Sequence, residues 1–190
     1  MTTAETGGSV FSRKEWLLGL LAQLGIRTPL VLELVKVCSV GGFSLCSYFL
    51  CSHLLIGTVT VVGKSMHPTL HQSERYLLNR WILHLRSPNP AEVVVLRDPA
   101  FEGLAVKRVI GRPYDFILLR GGQVYVNGRK LKEPYLVQGT KTFPQAGFKE
   151  RAFRCGANEY FVLGDNRANS ADSRDYGPVS QDRLLGVVVN

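Results

Sequence analysis

Hydrophobic and polar positions change rhythm near residue 57. From 37 to 57 no Asp, Glu, Lys or Arg interrupts an apolar run. About 21 helical residues at roughly 1.5 Å each reach about 31 Å, enough to cross a bilayer core. Ser39, Ser44, Ser47, Ser52, His53, Gly41 and Gly42 soften the run. Small and hydroxylated residues of this kind face other helices in membranes. A buried core helix is the alternative, but the run exceeds the usual length of one. It starts too late for a cleaved signal peptide and no A-x-A pattern follows, so a retained anchor is expected. Upstream, 16–32 is also apolar. Arg27-Thr28-Pro29 interrupts it, which favours an interfacial helix over a second span.

Beyond 57 the pattern becomes short β-branched runs with turn punctuation. Strands are predicted over 58–62, 75–81, 92–97, 104–110, 116–120, 123–126, 159–163 and 184–189. Ser87-Pro88-Asn89-Pro90 splits the second from the third. Gly121-Gly122 and Asn127-Gly128 read as hairpin turns. Many short strands at this spacing predict a mainly β domain, barrel-like or sandwich-like. The stretch from about 121 to 155, loop-rich after 130, reads as a long hairpin or insertion. The predicted organisation is a cytoplasmic N-terminal segment over 1–36, a transmembrane helix over 37–57 and an extracytoplasmic β-rich domain over 58–190. Arg13, Lys14, Arg27 and Lys36 precede the run and favour a cytoplasmic N-terminus.

A chain of 190 residues has room for an anchor and one ordinary domain. Its net charge of +8 raises the question of nucleic acid. The Lys and Arg residues are scattered rather than striped, so no nucleic-acid partner is expected, and nearby anionic lipid accounts for the excess. Four cysteines make no disulfide framework. Cys38, Cys46 and Cys51 lie in the apolar run, and Cys155 has no counterpart outside it.

The candidate chemistry begins at Gly63-Lys64-Ser65-Met66-His67-Pro68-Thr69-Leu70. A phosphate loop needs a glycine, four residues, then Gly-Lys-Ser or Gly-Lys-Thr. Here Gly57 is one residue too far back, the intervening residues are strand-like, and Pro68 follows where a helix should start. His67 and His71 have helical metal-ligand spacing, but Pro68 lies between them and no further ligand is near. No histidine stands out as the base of a triad.

Lysine is left as a base. Alternation along 104–110 puts Ala105, Lys107 and Val109 on one face, small and apolar. An exposed strand lysine is the commoner reading of that spacing. A free lysine titrates near 10.4 and is protonated at neutral pH. Burial disfavours the charge and could make the amine able to deprotonate a serine. A third cluster, Gly164-Asp165-Asn166-Arg167-Ala168-Asn169-Ser170-Ala171-Asp172-Ser173-Arg174, reads plainly as a solvated loop. If its end is extended, Asp172 and Arg174 share a face and can pair, while Ser170 can hydrogen-bond the lysine.

Together the three clusters resemble the type I signal peptidases, the membrane-anchored Ser/Lys proteases of bacterial and organellar secretory systems. The resemblance covers about 59–188. It rests on the segment around Ser65, on Lys107-Arg108-Val109-Ile110-Gly111, and on the box from Gly164 to Arg174. It implies that Ser65 is the nucleophile and Lys107 the general base. Ser170 then orients the amine, Asp172 and Arg174 brace the box with Gly164, Asp165 and Asn166, and Met66 and Pro68 shape the substrate pocket. The Ser65 N–H would serve the oxyanion; Gly63 offers no second side-chain donor. The implied function is removal of signal peptides from exported preproteins through an acyl-enzyme, with no metal or organic cofactor. The implied location is the bacterial plasma membrane, with an organelle inner membrane as the alternative. Two departures are visible: Gly63 where some members carry serine, and Pro113-Tyr114-Asp115 where the family has Pro-Gly-Asp. A self-cleaving repressor would need a DNA-binding domain in place of the apolar run. A decayed, non-enzymatic module would not keep Ser65, Lys107, Ser170, Asp172 and Arg174.

Overall fold

A computed structural model of the chain describes residues 15, 16, 19, 23, 28–54, 56–101, 103–145 and 147–189. The chain divides into two compact units, Met1–Leu50 and Cys51–Asn190.

In the first unit, helix α1 starts at Thr28 and continues to Leu54. Its segment Pro29–Leu50 is long and apolar enough to cross a membrane, and none of it is buried by protein. Leu30, Val37, Phe43, Tyr48 and Leu50 are all exposed. The helix is offset from the uncharged run expected over 37–57, for physical reasons at both ends. Glu33 and Lys36 pair at 2.8 Å one turn apart, so helix continues through the charges. Pro29 sits in the first turn, where its missing N–H costs nothing. At the other end Gly57 already belongs to a strand. Of the segment 16–32, residues 16, 19 and 23 are helical and 28–32 belong to α1; the remainder lies outside the described residues.

The second unit is built on two antiparallel sheets. β1 (Ile56–Thr60), β2 (Arg75–Asn79), β3 (Val93–Arg97), β4 (Leu104–Gly111), β9 (Glu159–Leu163), β10 (Val179–Ser180) and β11 (Leu184–Val189) form a seven-stranded sheet in the order β1-β2-β11-β3-β4-β9-β10. β5 (Phe116–Arg120), β6 (Gln123–Val126), β7 (Arg129–Lys130) and β8 (Glu150–Arg154) form a second, ordered β7-β6-β5-β8. Two four-residue helices, α2 (Ile82–Leu85) and α3 (Ser173–Tyr176), and a short 3-10 helix over Gln181–Arg183 complete the regular elements described in this unit.

Both faces of the central strands are buried, which explains their continuous apolar runs. Val94 and Leu96 of β3 join Val109, Tyr160 and Val162 in one core. Val95 packs on the opposite face with Leu78 and Val188. Alternation along β9 sends Phe161 and Leu163 into a third core with Ile117, Leu119, Val124 and Phe153 of the second sheet. The stretch 121–155, read as a long hairpin or insertion, contributes to that shared core. The region supplies strands β6, β7 and β8, and β8 pairs along the whole of β5, from Phe116 opposite Arg154 to Arg120 opposite Glu150. Three of the five β8 residues, Glu150, Arg151 and Arg154, are charged and only Phe153 is buried, so the run carries no strong apolar signal.

Candidate active site

Three segments meet around one cavity. The first is the loop after β1. Its neck is closed by the Val61 N–H donating to the Glu74 carbonyl (3.0 Å) and the Ser73 N–H to the Val61 carbonyl (2.9 Å). Met66 and Leu70, each 1% exposed, pack with Val61 and pin the loop from beneath. Gly63 turns the chain at φ +100°, a conformation that side chains disfavour, and Ser65 follows it half-buried.

The second segment is β4. Register places Lys107 opposite Val94, on the face shared with Ala105 and Val109. Lys107 is 4% exposed. Its Nζ donates to Ser170 Oγ at 3.1 Å, and among the described residues no hydrogen bond joins it to Ser65. Burial pushes the amine below its ordinary value. The Asp172 and Asp98 carboxylates oppose this, the Arg174 guanidinium adds to it, and Asp175 opposes it again. Ser65 and Lys107 line the same cavity, of about 530 Å³, with Val59 to Val62 on one side and Leu104 to Val106 on the other.

The third segment is the loop 164–172 between β9 and α3. The Asn166 N–H donates to the Ser65 carbonyl at 2.9 Å, and Asn166 Nδ2 to the Lys64 carbonyl at 3.1 Å. Asp165 takes a bidentate bond from Arg108, Nε at 2.8 Å and Nη2 at 2.5 Å, and accepts from Thr69 Oγ1 at 2.5 Å. Both members of that ion pair are buried. Gly164 lies between Ser65 and Ser170. A Cβ there would run into Ser170 Oγ and would sit 2.6 Å from both Ser170 Cβ and the Ser65 carbonyl oxygen. Only glycine lets the two serines approach this closely.

Asp172 and Arg174 pair at 2.8 Å, but not as neighbours on a strand. Asp172 caps α3 with a capping box: its carboxylate accepts from the Arg174 N–H, and the Asp175 carboxylate from the Asp172 N–H at 3.0 Å. The same Asp172 carboxylate accepts from the Gly164 N–H at 3.0 Å, and Arg174 Nη2 reaches the Ser170 carbonyl at 3.2 Å. A cap, rather than an extended strand, therefore holds Ser170 toward Lys107.

Neither Met66 nor Pro68, expected to shape the substrate pocket, lines the Ser65 cavity. Met66 is wholly buried under the loop and does not line the Ser65 cavity, because its apolar side chain is the loop's anchor. Pro68 lines a separate cavity with His67, Lys141 and Asn166. Sequence reasoning also passed over several residues. Arg108 faces away from Lys107 and braces Asp165, stacking 3.9 Å over the Tyr135 ring. Arg167 donates to the Gly164 carbonyl at 2.9 Å, to Glu133 at 2.5 Å and to Thr142 Oγ1. Asp98, just past β3, is the one carboxylate lining the Ser65 cavity among the described residues. An arginine within a strand of buried neighbours was the available signal for Arg108, since such a charge requires a partner.

Comparison with known proteins gives first the class, a serine endopeptidase. A family model described as "Signal peptidase, peptidase S26" matches residues 33–190. Signal peptidase I T of Bacillus subtilis is 33% identical over 139 residues, covering 70% of this chain and 72% of that protein. Signal peptidase I S of the same organism is 38% identical over 128 residues, covering 65% and 68%. A solved signal peptidase I from Enterococcus faecalis is 28% identical, with a TM-score of 0.47 over 55% of this chain and 98% of that one. The chain belongs to the signal peptidase family, peptidase S26.

Proposed function

We propose that the protein cleaves N-terminal signal peptides from exported preproteins with Ser65 as nucleophile and Lys107 as general base. The observation that carries this reading is the environment of Lys107. Its amine is buried, on the cavity that Ser65 lines, and held by a neutral hydroxyl. A neutral partner fixes the amine without fixing its charge, and burial favours the uncharged form that a base needs.

In the first step the Ser65 Oγ–H proton passes to the neutral Lys107 amine as Oγ attacks the scissile carbonyl. The tetrahedral oxyanion collects the Ser65 N–H, which among the described residues donates to no protein acceptor. Lys107 then returns the proton to the departing amine of the mature chain, leaving the signal peptide as an ester on Ser65. Lys107, neutral again, deprotonates water, and hydrolysis frees the signal peptide's carboxylate. Ser170 orients the amine through each transfer, and the Asp172–Arg174 cap holds Ser170. The residues involved supply every proton acceptor and donor in this sequence, so it calls for no cofactor.

The setting is a membrane. α1 would anchor the domain, with the N-terminal segment in the cytoplasm and the catalytic domain outside the bacterial plasma membrane. The bacterial origin of the relatives favours this membrane over an organelle's. The test is cleavage of a model preprotein by the full chain in nonionic detergent, wild type beside Ser65→Ala. Product from the wild type alone supports the reading; equal product from both refutes it. Orientation is tested separately. Digestion of the domain by protease added from the cytoplasmic side would overturn it.

A further inference from the structure

The loop carrying Ser65 divides the surface. Ser65 lines the cavity that also holds Lys107, while His67 and Pro68, two and three residues on, line another of about 310 Å³. A larger cavity of about 620 Å³ adjoins the second one, since Val137, Thr140 and Lys141 line both. Taken together as a groove, the adjoining cavities extend from beside the nucleophile loop along the segment 130–141. Leu131, Leu136 and Val137 give it an apolar floor suited to an extended chain.

Its charge is one-sided. The acids that line it are already matched: Asp165 by Arg108 and Glu133 by Arg167. Lys130, Lys132 and Lys141 line it as well, all exposed, and none has an ion pair among the described residues. If the acyl side of a peptide attacked at Ser65 occupies the cavity with Lys107, its amine side leaves past the loop toward His67 and Pro68. We propose that this groove receives the mature region just after the cut and selects acidic side chains there. The inference rests on the preprotein-cleaving reading above. It adds a specificity determinant: Lys132 and Lys141 discriminate by charge rather than by size.

Three preproteins test it, identical through the cut and carrying neutral, acidic or basic residues at mature positions two to eight. The full chain in nonionic detergent is assayed at low salt, wild type beside a Lys132→Glu, Lys141→Glu double variant. Two exposed charge pairs predict a kcat/KM for the acidic substrate about ten-fold above the basic one. That ratio should shrink in 0.5 M salt as screening shortens to about 4 Å. In the double variant it should fall to one or invert. A wild-type ratio near one, or a ratio unchanged in the variant, overturns the proposal. So does a ratio near one combined with weaker binding of the variant to anionic phosphatidylglycerol vesicles, which would make the lysines a lipid contact. If the neutral preprotein is cut by wild type and not by Ser65→Ala, the cleavage reading stands whatever the ratio. If no preprotein is cut, both fall.

Discussion

Replacing Gly164 by alanine tests the site at its tightest point. The added Cβ would lie 2.6 Å from Ser170 Cβ and 2.6 Å from the Ser65 carbonyl oxygen, and would run into Ser170 Oγ. Ordinary contact needs about 3.5 Å, so one neighbour must move by about 1 Å. Neither side can yield cheaply. The Ser65 carbonyl is held by the Asn166 N–H, and Ser170 lies between Lys107 and the capped Asp172–Arg174 pair. Overpacking of this kind costs about 1–3 kcal/mol of stability. Its kinetic effect should be larger, because a misplacement of about 1 Å can cost about 10²-fold in rate. Gly164→Ala should therefore cut kcat/KM by about 100-fold on a model preprotein while the domain still unfolds cooperatively, a few degrees lower. Activity within about three-fold of wild type would refute the claim that Ser65 and Ser170 are held in fixed register through this residue.

Other consequences follow from the same geometry. Asp165→Asn leaves Arg108 buried without its charge partner, so the domain should lose about 3–5 kcal/mol in denaturant titration. Glu133→Gln removes the partner of buried Arg167, which holds the Gly164 carbonyl; kcat should fall more than KM rises, and Glu133→Asp should restore part of it. The kcat/KM of the wild type should rise with pH along a limb below the ordinary lysine range, since burial lowers Lys107. Asp98 stabilises the ammonium form, so Asp98→Asn should move that limb to lower pH; an unmoved limb would separate Asp98 from Lys107. Cys155 is buried, and burial pushes its thiol up to about 11, so a thiol reagent at pH 8 should modify it only after unfolding.

Much of this architecture was legible because burial wrote it into the residues. β5, β6, β9 and β11 coincide with their predicted runs, each apolar enough to require a core. β8 escaped notice because its pairing with β5 carries it while only Phe153 is buried. α3 escaped notice because four residues show no helical period; its signal was the capping box formed by Asp172 and Asp175. Lys107 could be placed on an apolar face by alternation, but the partner of its amine, Ser170, lies sixty-three positions away. For Arg108 and Arg167 it was the identity of the partner that was illegible, for the same reason. Their partners, Asp165 and Glu133, are joined to them only by the fold.

The central claim is that Ser65 and Lys107 act as one catalytic unit. The most direct measurement is kcat/KM on a model preprotein for Ser65→Ala, Lys107→Ala and the double variant, all in the full chain and matched for folded content by thermal unfolding. Residues that act as a unit are strongly non-additive. Each single variant should lose cleavage entirely, and the double variant should be no worse than either. A Lys107→Ala enzyme that keeps activity within about ten-fold of wild type would contradict the account, because the proton of Ser65 would then be going elsewhere.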